Sequence, residues 1–460
     1  MLENFNISRI LRTALSSGGE FAEIYLEEGA ATQIVAEDGK IEKVLSVSDR
    51  GVSIRVISDF RTAFGYTNEV TEKSLLELAA SVSSGVKGGI FDRNIIVGAA
   101  VSAPVMFIRL HPDNIRLEQK VALVAQAERA ARESSAAIRQ VMAVYRDGVA
   151  RMQVANSLGE FSACSRIGTM FASQVVAASG DLIQTGYESN GACRGFELFD
   201  EKSAVEIALA AAKRAEMMLS ARRAPGGMMP VVLSSEAGGT MIHEAIGHGL
   251  EADLVQGGVS VYRGKLGEQV ASSLVTVIDD STIPYARGSF YFDSEGVRGQ
   301  KNVLVENGIL KGYLYDRLTG MKEGCSSTGN GRRESYHAKP IVRMTNTLIA
   351  PGSTAPEEIV KTVPSGLFVR KMGGGQVNTV TGDFMFEVTE GYLIENGAVC
   401  EPVRGATLTG SGSEVLKNIL MVGSDLGFGI GTCGKDGQGV PVSDAQPTLL
   451  IGSMTVGGAV

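Results

Sequence analysis

Residues 221–230 read ARRAPGGMMP, and two prolines with two glycines in so short a stretch end any helical or strand period. Proline removes a backbone donor and glycine releases the backbone, so both break the local period here. A chain broken this way near its middle folds as two units, and at 460 residues it exceeds one ordinary domain. The sequence therefore predicts one domain over 1–222 and a second over 223–460.

Before the break, helical and strand periods both occur. Ile10, Leu11 and Ala14 fall at helical spacing within 5–17. Segments 21–28, 31–37, 41–49, 51–58 and 61–67 alternate apolar and polar residues, with Gly or Asp at the gaps, which predicts an antiparallel meander of short strands. Helices follow over 72–84, N-capped by Thr71, and over 116–136. Further strands fill 139–147, 150–156, 159–165 and 168–178, and Ala-rich composition favours a helix over 201–220. After the break come a strand at 231–234 and a short helix at 238–248. The remainder is strand-like, at 273–278, 301–305, 309–316, 341–349, 366–371, 385–395 and 447–457. The chain holds 57 glycines, dense towards its C-terminal end, where tight turns and bulges are expected. The fold class is α+β: an N-terminal antiparallel sheet with helices, then a mainly β domain carrying a short helix.

Several functions are disfavoured. A net charge of −8 argues against a nucleic-acid partner, because phosphate contacts need a clustered basic surface. No apolar run is long enough for a membrane-spanning helix, and MLENFNISRI lacks the basic flank and apolar run of a secretory signal. Cys164, Cys193, Cys325, Cys400 and Cys433 are scattered and odd in number, the pattern of reduced thiols in a cytoplasmic protein.

The chemistry gathers at His243-Glu244-Ala245-Ile246-Gly247-His248. Imidazoles are good zinc ligands, and a carboxylate beside the first can serve as base to a metal-activated water. Histidines four apart on a helix lie about 40° apart around its axis, whereas five apart gives roughly 140°. Both rings reach one metal only if the turn is distorted. A π-bulge would insert the extra residue, Gly247 would tolerate the altered backbone, and Gly249 would stop the helix. An open catalytic site needs a third ligand. Glu251, Asp253, Cys433 within GIGTCGKDGQ, and His337 are the candidates.

HEAIGHGLEAD, VIDDSTIPYARGSFYFDSEG, GNGRRESYHAKPIVRMTNTLIAPG, GGGQVNTVTGDFMFEVTEGYLIENG, PVRGATLTGSG and GTCGKDGQGVPV, in this order, resemble the TldD family of metallopeptidases. The likeness spans nearly all of 230–460 and is weaker before it. The resemblance implies His243, His248 and Cys433 as metal ligands, Glu244 as general base, and Zn2+ as the cofactor, one ion per chain. It further implies unfolded or short peptides as substrates, in a site enclosed by a dimer with a second copy or a homologous TldE-type subunit. SYHAKP sets His337 one position earlier than the family order, so no role passes to it. VSDAQP replaces a more glycine-rich run and is expected to alter a turn near the site. Gly373–Gly375 could offer a strand edge to a peptide, and Arg332, Arg333 and Tyr336 are candidates for the substrate path. The alternative is a peptide-binding scaffold subunit whose metal is structural, with Glu251 or Asp253 closing the shell.

Overall fold

The computed structural model describes residues 1–86, 94–104 and 106–458. Its first half is built on a seven-stranded sheet among the described residues. The long strands are Phe21–Glu37, Lys40–Ser58, Ile138–Asn156 and Phe161–Ser179, paired antiparallel and flanked by Arg61–Thr67 and Leu182–Ala192. The short strands expected at 21–28 and 31–37 are thus one strand, as are three other expected pairs. Gly29 does not interrupt the first because it is paired on both sides, with Asp49 and with Ala150. Ladder hydrogen bonds from two neighbours outweigh the modest cost of glycine in a strand.

Alternation along these strands assigns the two faces. Ala22, Ile24 and Leu26 join a core under the helices Ile7–Ala14 and Glu72–Ser84. Ile34 and Ala36, on the same face, join a second core under Leu117–Glu133 and Ala204–Ser220. The odd-numbered Glu23 and Tyr25 turn the other way, towards the second half of the chain. Tyr25 packs there with Met152, Val154 and Tyr336. Arg55 reaches Glu23 at 2.9 Å and Glu295 at 2.5 Å, and Arg333 reaches Glu23 at 2.5 Å. All four charged groups are buried, so the two halves share one sealed ion-pair network.

The second half contains two larger sheets. In one, Ser365–Val377, Gly227–Leu233, Leu449–Gly457, Thr407–Ser411 and Asp383–Glu395 pair in that order. The last also pairs with the first, so the ring closes. In the other, Val277–Asp280, Asn346–Ile349, Gln438–Gln446 and Gly427–Lys435 lie side by side, extended by Lys301–Glu306 and Ile309–Leu310. One large core fills the space between, and Ile242, Ala245 and Ile246 of the short helical segment are buried in it. The chain is α+β, with a sheet-rich C-terminal region, as expected. The strands Gly427–Lys435 and Gln438–Gln446 are absent from the sequence-based expectation. Among the described residues no helix is long and apolar enough to cross a membrane.

Candidate metal centre

The helical turn that carries both histidines is irregular in the way their spacing requires. An α-turn at Thr240–Ile242 opens into a π-turn over His243–Gly247, and the His248 N–H donates to the His243 carbonyl. That five-residue step sets both rings on one side of the turn, 4.9 Å apart between centroids. Gly247 serves differently from expectation. Its backbone is ordinary right-handed helix, and the absent Cβ leaves room for the buried Met344 side chain. Gly249 does not stop the helix either. It lies within a tight turn, His248–Leu250, where its missing side chain admits the Tyr262 ring, and the backbone becomes extended only at Glu251.

Cys433 arrives from the hairpin Gly427–Lys435/Gln438–Gln446. Asp436 and Gly437 both take positive φ, giving the two-residue turn that suits strand twist. Cys433 and Asp444 stand on one face of this hairpin, because Cys433 pairs with Val440 and Asp444 with Gly429. Gly429 and Gly431 between them carry no side chain, which leaves that face open to the helical segment. His243 Nε2 lies 3.2 Å from Cys433 Sγ, and His248 Nε2 lies 3.4 Å from it. The three donor atoms all fall within 4.8 Å of one another. Tetrahedral zinc bonds of about 2.0–2.3 Å separate neighbouring donors by roughly 3.3–3.7 Å, so the cluster has the size and donor chemistry for that ion.

The ring nitrogens that face away are also held. His243 Nδ1 meets Asp444 Oδ1 at 2.8 Å, and His248 Nδ1 meets Glu251 Oε2 at 2.9 Å. A carboxylate behind each imidazole takes its Nδ1–H and orients Nε2 towards Cys433. Lys435 Nζ in turn donates to Glu251 at 3.1 Å, to Asp253 at 2.7 Å and to the Val342 carbonyl at 3.0 Å. Glu251 and Asp253 therefore stand behind His248, bound to Lys435, outside the donor cluster of His243, His248 and Cys433. Burial would raise the Cys433 thiol, but hydrogen bonds from both imidazoles and their charge bring it down to about 5. Burial would lower His248, yet the Glu251 charge carries it up to about 9. Burial would also raise Glu251, and Lys435 and His248 hold it at about 2. A cysteine so readily ionised is prepared for a metal.

Glu244 sits on the wall of the cavity onto which the cluster opens, about 1100 Å³ in volume. Its carboxylate has no hydrogen-bond partner among the described residues, and burial pushes its pKa up. Gly373, Gly374 and Gly375 line the same cavity. Beyond Val369 their strand loses its neighbour Gly227–Leu233, so its outer edge is unpaired there. Arg332, Arg333 and Tyr336 do not line this cavity; they line a neighbouring one. The two arginines are buried, and their guanidinium groups bind Met344, Pro441, Ser53 and Glu23. Tyr336 is packed under the first half, and the His337 ring lies against Tyr66 and Tyr336. VSDAQP is strand, not turn, and it supplies Asp444. Sequence reasoning missed that residue, although the Asp-Gly pair after a glycine-alternating run was a hairpin signal.

Three family models match the chain: the PmbA/TldA metallopeptidase domain 1 over 22–86, the central domain over 110–219 and the C-terminal domain over 226–458. A metalloprotease TldD homolog of Haemophilus influenzae is 38% identical over 95% of this chain and 93% of its own length. A zinc metalloprotease TldD homolog of Saccharolobus solfataricus is 28% identical over 98% of this chain and 100% of its own. The crystal structure of TldE from Thermococcus kodakarensis superposes with a TM-score of 0.78 at 19% identity, covering 99% and 100% of the two chains, a likeness of fold.

Proposed function

Because the chain belongs to the PmbA/TldD family of metallopeptidases, we propose that it is a zinc-dependent peptidase acting on unfolded or short peptides. The observation that carries this reading is the convergence of His243, His248 and Cys433 beside an unpartnered Glu244 on one large cavity. When bound, zinc would supply Lewis acidity to a hydrolytic water and to the peptide carbonyl. Glu244 takes the proton from that water as it attacks, and delivers it to the departing amine. Asp444 and Glu251 keep the two imidazoles oriented throughout. The free edge at Gly373–Gly375 adds the substrate as an extra strand, through main-chain hydrogen bonds that tolerate many side chains. The reading includes a dimer, with a second copy or a TldE-type subunit enclosing the cavity. It also includes a reducing compartment such as the cytoplasm, where the five free cysteines persist.

Zinc content of the purified chain tests the centre. About one ion per chain is expected, lost in His243→Ala and in Cys433→Ala, while Glu244→Gln keeps the metal and loses peptide turnover. Metal retained in full by either ligand variant removes that residue from the set. A wild-type chain that loads zinc and binds peptides without cutting them, alone or with a TldE-type partner, would be a scaffold subunit.

A further inference from the structure

A second cavity, about 510 Å³, lies at the seam between the two halves. It adjoins the cavity of His243, His248 and Cys433, because Ala192, Arg287 and Thr432 belong to the walls of both. Much of its lining is apolar, yet Arg146, Arg166, Arg287 and Arg332 also face it. None of the four forms an ion pair with a carboxylate among the described residues; the neighbouring Arg333 is the one that does, with Glu23. Three of them are braced by backbone carbonyls instead: Arg166 by Phe292 at 2.9 Å, Arg332 by Pro441 at 2.7 Å, and Arg287 Nε by Gly431 at 3.3 Å. Both Nη groups of Arg287 are left without an acceptor among the described residues.

The carboxylates at this cavity do not fill the gap. Asp147 is taken by Lys120 and Tyr145, and Asp49 by Tyr336 and His337. Glu27 accepts from Tyr25, and burial pushes its pKa up; Glu334 is exposed. Arg146 is exposed, Glu27 lies near Arg166 and Asp279 near Arg332, but the half-buried Arg287 has no carboxylate beside it, a cost that a joining anion would offset. Burial holds the pKa of Arg287 below its ordinary value.

We infer that the free fork of Arg287 grips a carboxylate of the bound peptide, and that the arginine-lined cavity behind it receives the residue bearing that carboxylate. A planar guanidinium matches a carboxylate with two parallel hydrogen bonds, which a lysine ammonium does not reproduce. Arg287 stands where this can matter for catalysis, since its backbone anchor, Gly431, is two residues from Cys433 on the same strand. The carboxylate is either a C-terminus or an acidic side chain. The inference rests on the peptidase reading for its substrate.

The test measures fluorescence anisotropy of labelled pentapeptides on the zinc-loaded full chain carrying Glu244→Gln. One peptide ends in a free carboxylate, the second in an amide, and the third in an amide preceded by Asp. The free acid is expected to bind at least about tenfold tighter than the plain amide. Adding Arg287→Gln should weaken the acid by about tenfold while leaving the amide within about twofold, and Arg287→Lys should fall between. Arg166→Gln, in the same cavity lining, should lower the same acid-to-amide ratio even if Arg287→Gln does not fold. The Asp amide matching the acid assigns side-chain carboxylates; matching the plain amide assigns C-termini. Equal binding of all three, no binding of any, or a preference that survives in a folded Arg287→Gln overturns the inference. Wild-type cleavage of the same peptides is scored separately. Cleavage without carboxylate preference sinks this inference alone, and selective binding without cleavage sinks the peptidase reading alone.

Discussion

Lys435 touches no metal donor, yet the geometry makes it a positioning residue. Its ammonium keeps Glu251 ionised, and Glu251 then accepts from His248 Nδ1, so that Nε2 faces Cys433. Lys435→Met would leave a buried carboxylate uncompensated and release the ring. Zinc affinity is expected to fall about 10- to 100-fold, measured by competition with a chromogenic chelator, as it should for Asp444→Asn behind His243. The pH behaviour of the metal-free chain follows from the thiol. With its pKa lowered to about 5, Cys433 stays a thiolate as pH falls from neutral and is protonated only below that value. Alkylation of Cys433 in chelator-treated protein, followed by mass spectrometry, should therefore remain substantial at pH 6, and added zinc should block it. A rate that drops below pH 8 as for an ordinary thiol would contradict this. His243, Glu244, His248 and Cys433 were legible as candidates because a catalytic motif keeps its residue types together or its flanks distinctive. Asp444 was not. A carboxylate 201 positions from its histidine looks like any other until the two elements pack.

At the scale of elements, the site depends on how closely a helical turn approaches a hairpin. A Cβ on Gly239 would fall on the backbone of Asp444 and Ala445, which cannot yield as a flexible side-chain end would. Gly239→Ala should cost about 1–3 kcal/mol by urea denaturation and should weaken zinc binding as well, because it pushes Asp444 off His243. The expected helices were mostly found, since 3.6-residue periodicity is a local property. Strand limits were less legible. Glycines suggested gaps at positions where the sheet runs on, and at Gly51 the reason is contact from elsewhere: the Tyr336 ring fills the space of the absent side chain. The π-turn was foreseeable from spacing alone, because two histidines five apart cannot share a metal on a regular helix. The strand that bears Cys433 was not foreseen. Its alternation is of glycines, which leave no apolar signal.

The whole molecule is held at its seam by charges that water does not reach. Glu23, Arg55, Glu295 and Arg333 are each 0–3% exposed and come from both halves of the chain. Arg55→Met leaves Glu295 without its guanidinium while Glu23 keeps Arg333, and a loss of about 3 kcal/mol is expected by urea denaturation. Limited proteolysis should then cut between the halves sooner than in wild type. The candidate donor cluster has the same long reach along the chain, since His243 and Cys433 are 190 residues apart. On a ribosome adding about 5–20 residues per second, the histidines emerge roughly 10–40 s before the cysteine. Throughout that interval the growing chain holds Glu244 and two imidazoles but neither Cys433 nor Asp444. A peptidase of the kind proposed above would be most dangerous while it is itself unfolded and crowded among other nascent chains. Placing the last pieces of the centre on a late hairpin delays its competence until the fold that encloses it has been made.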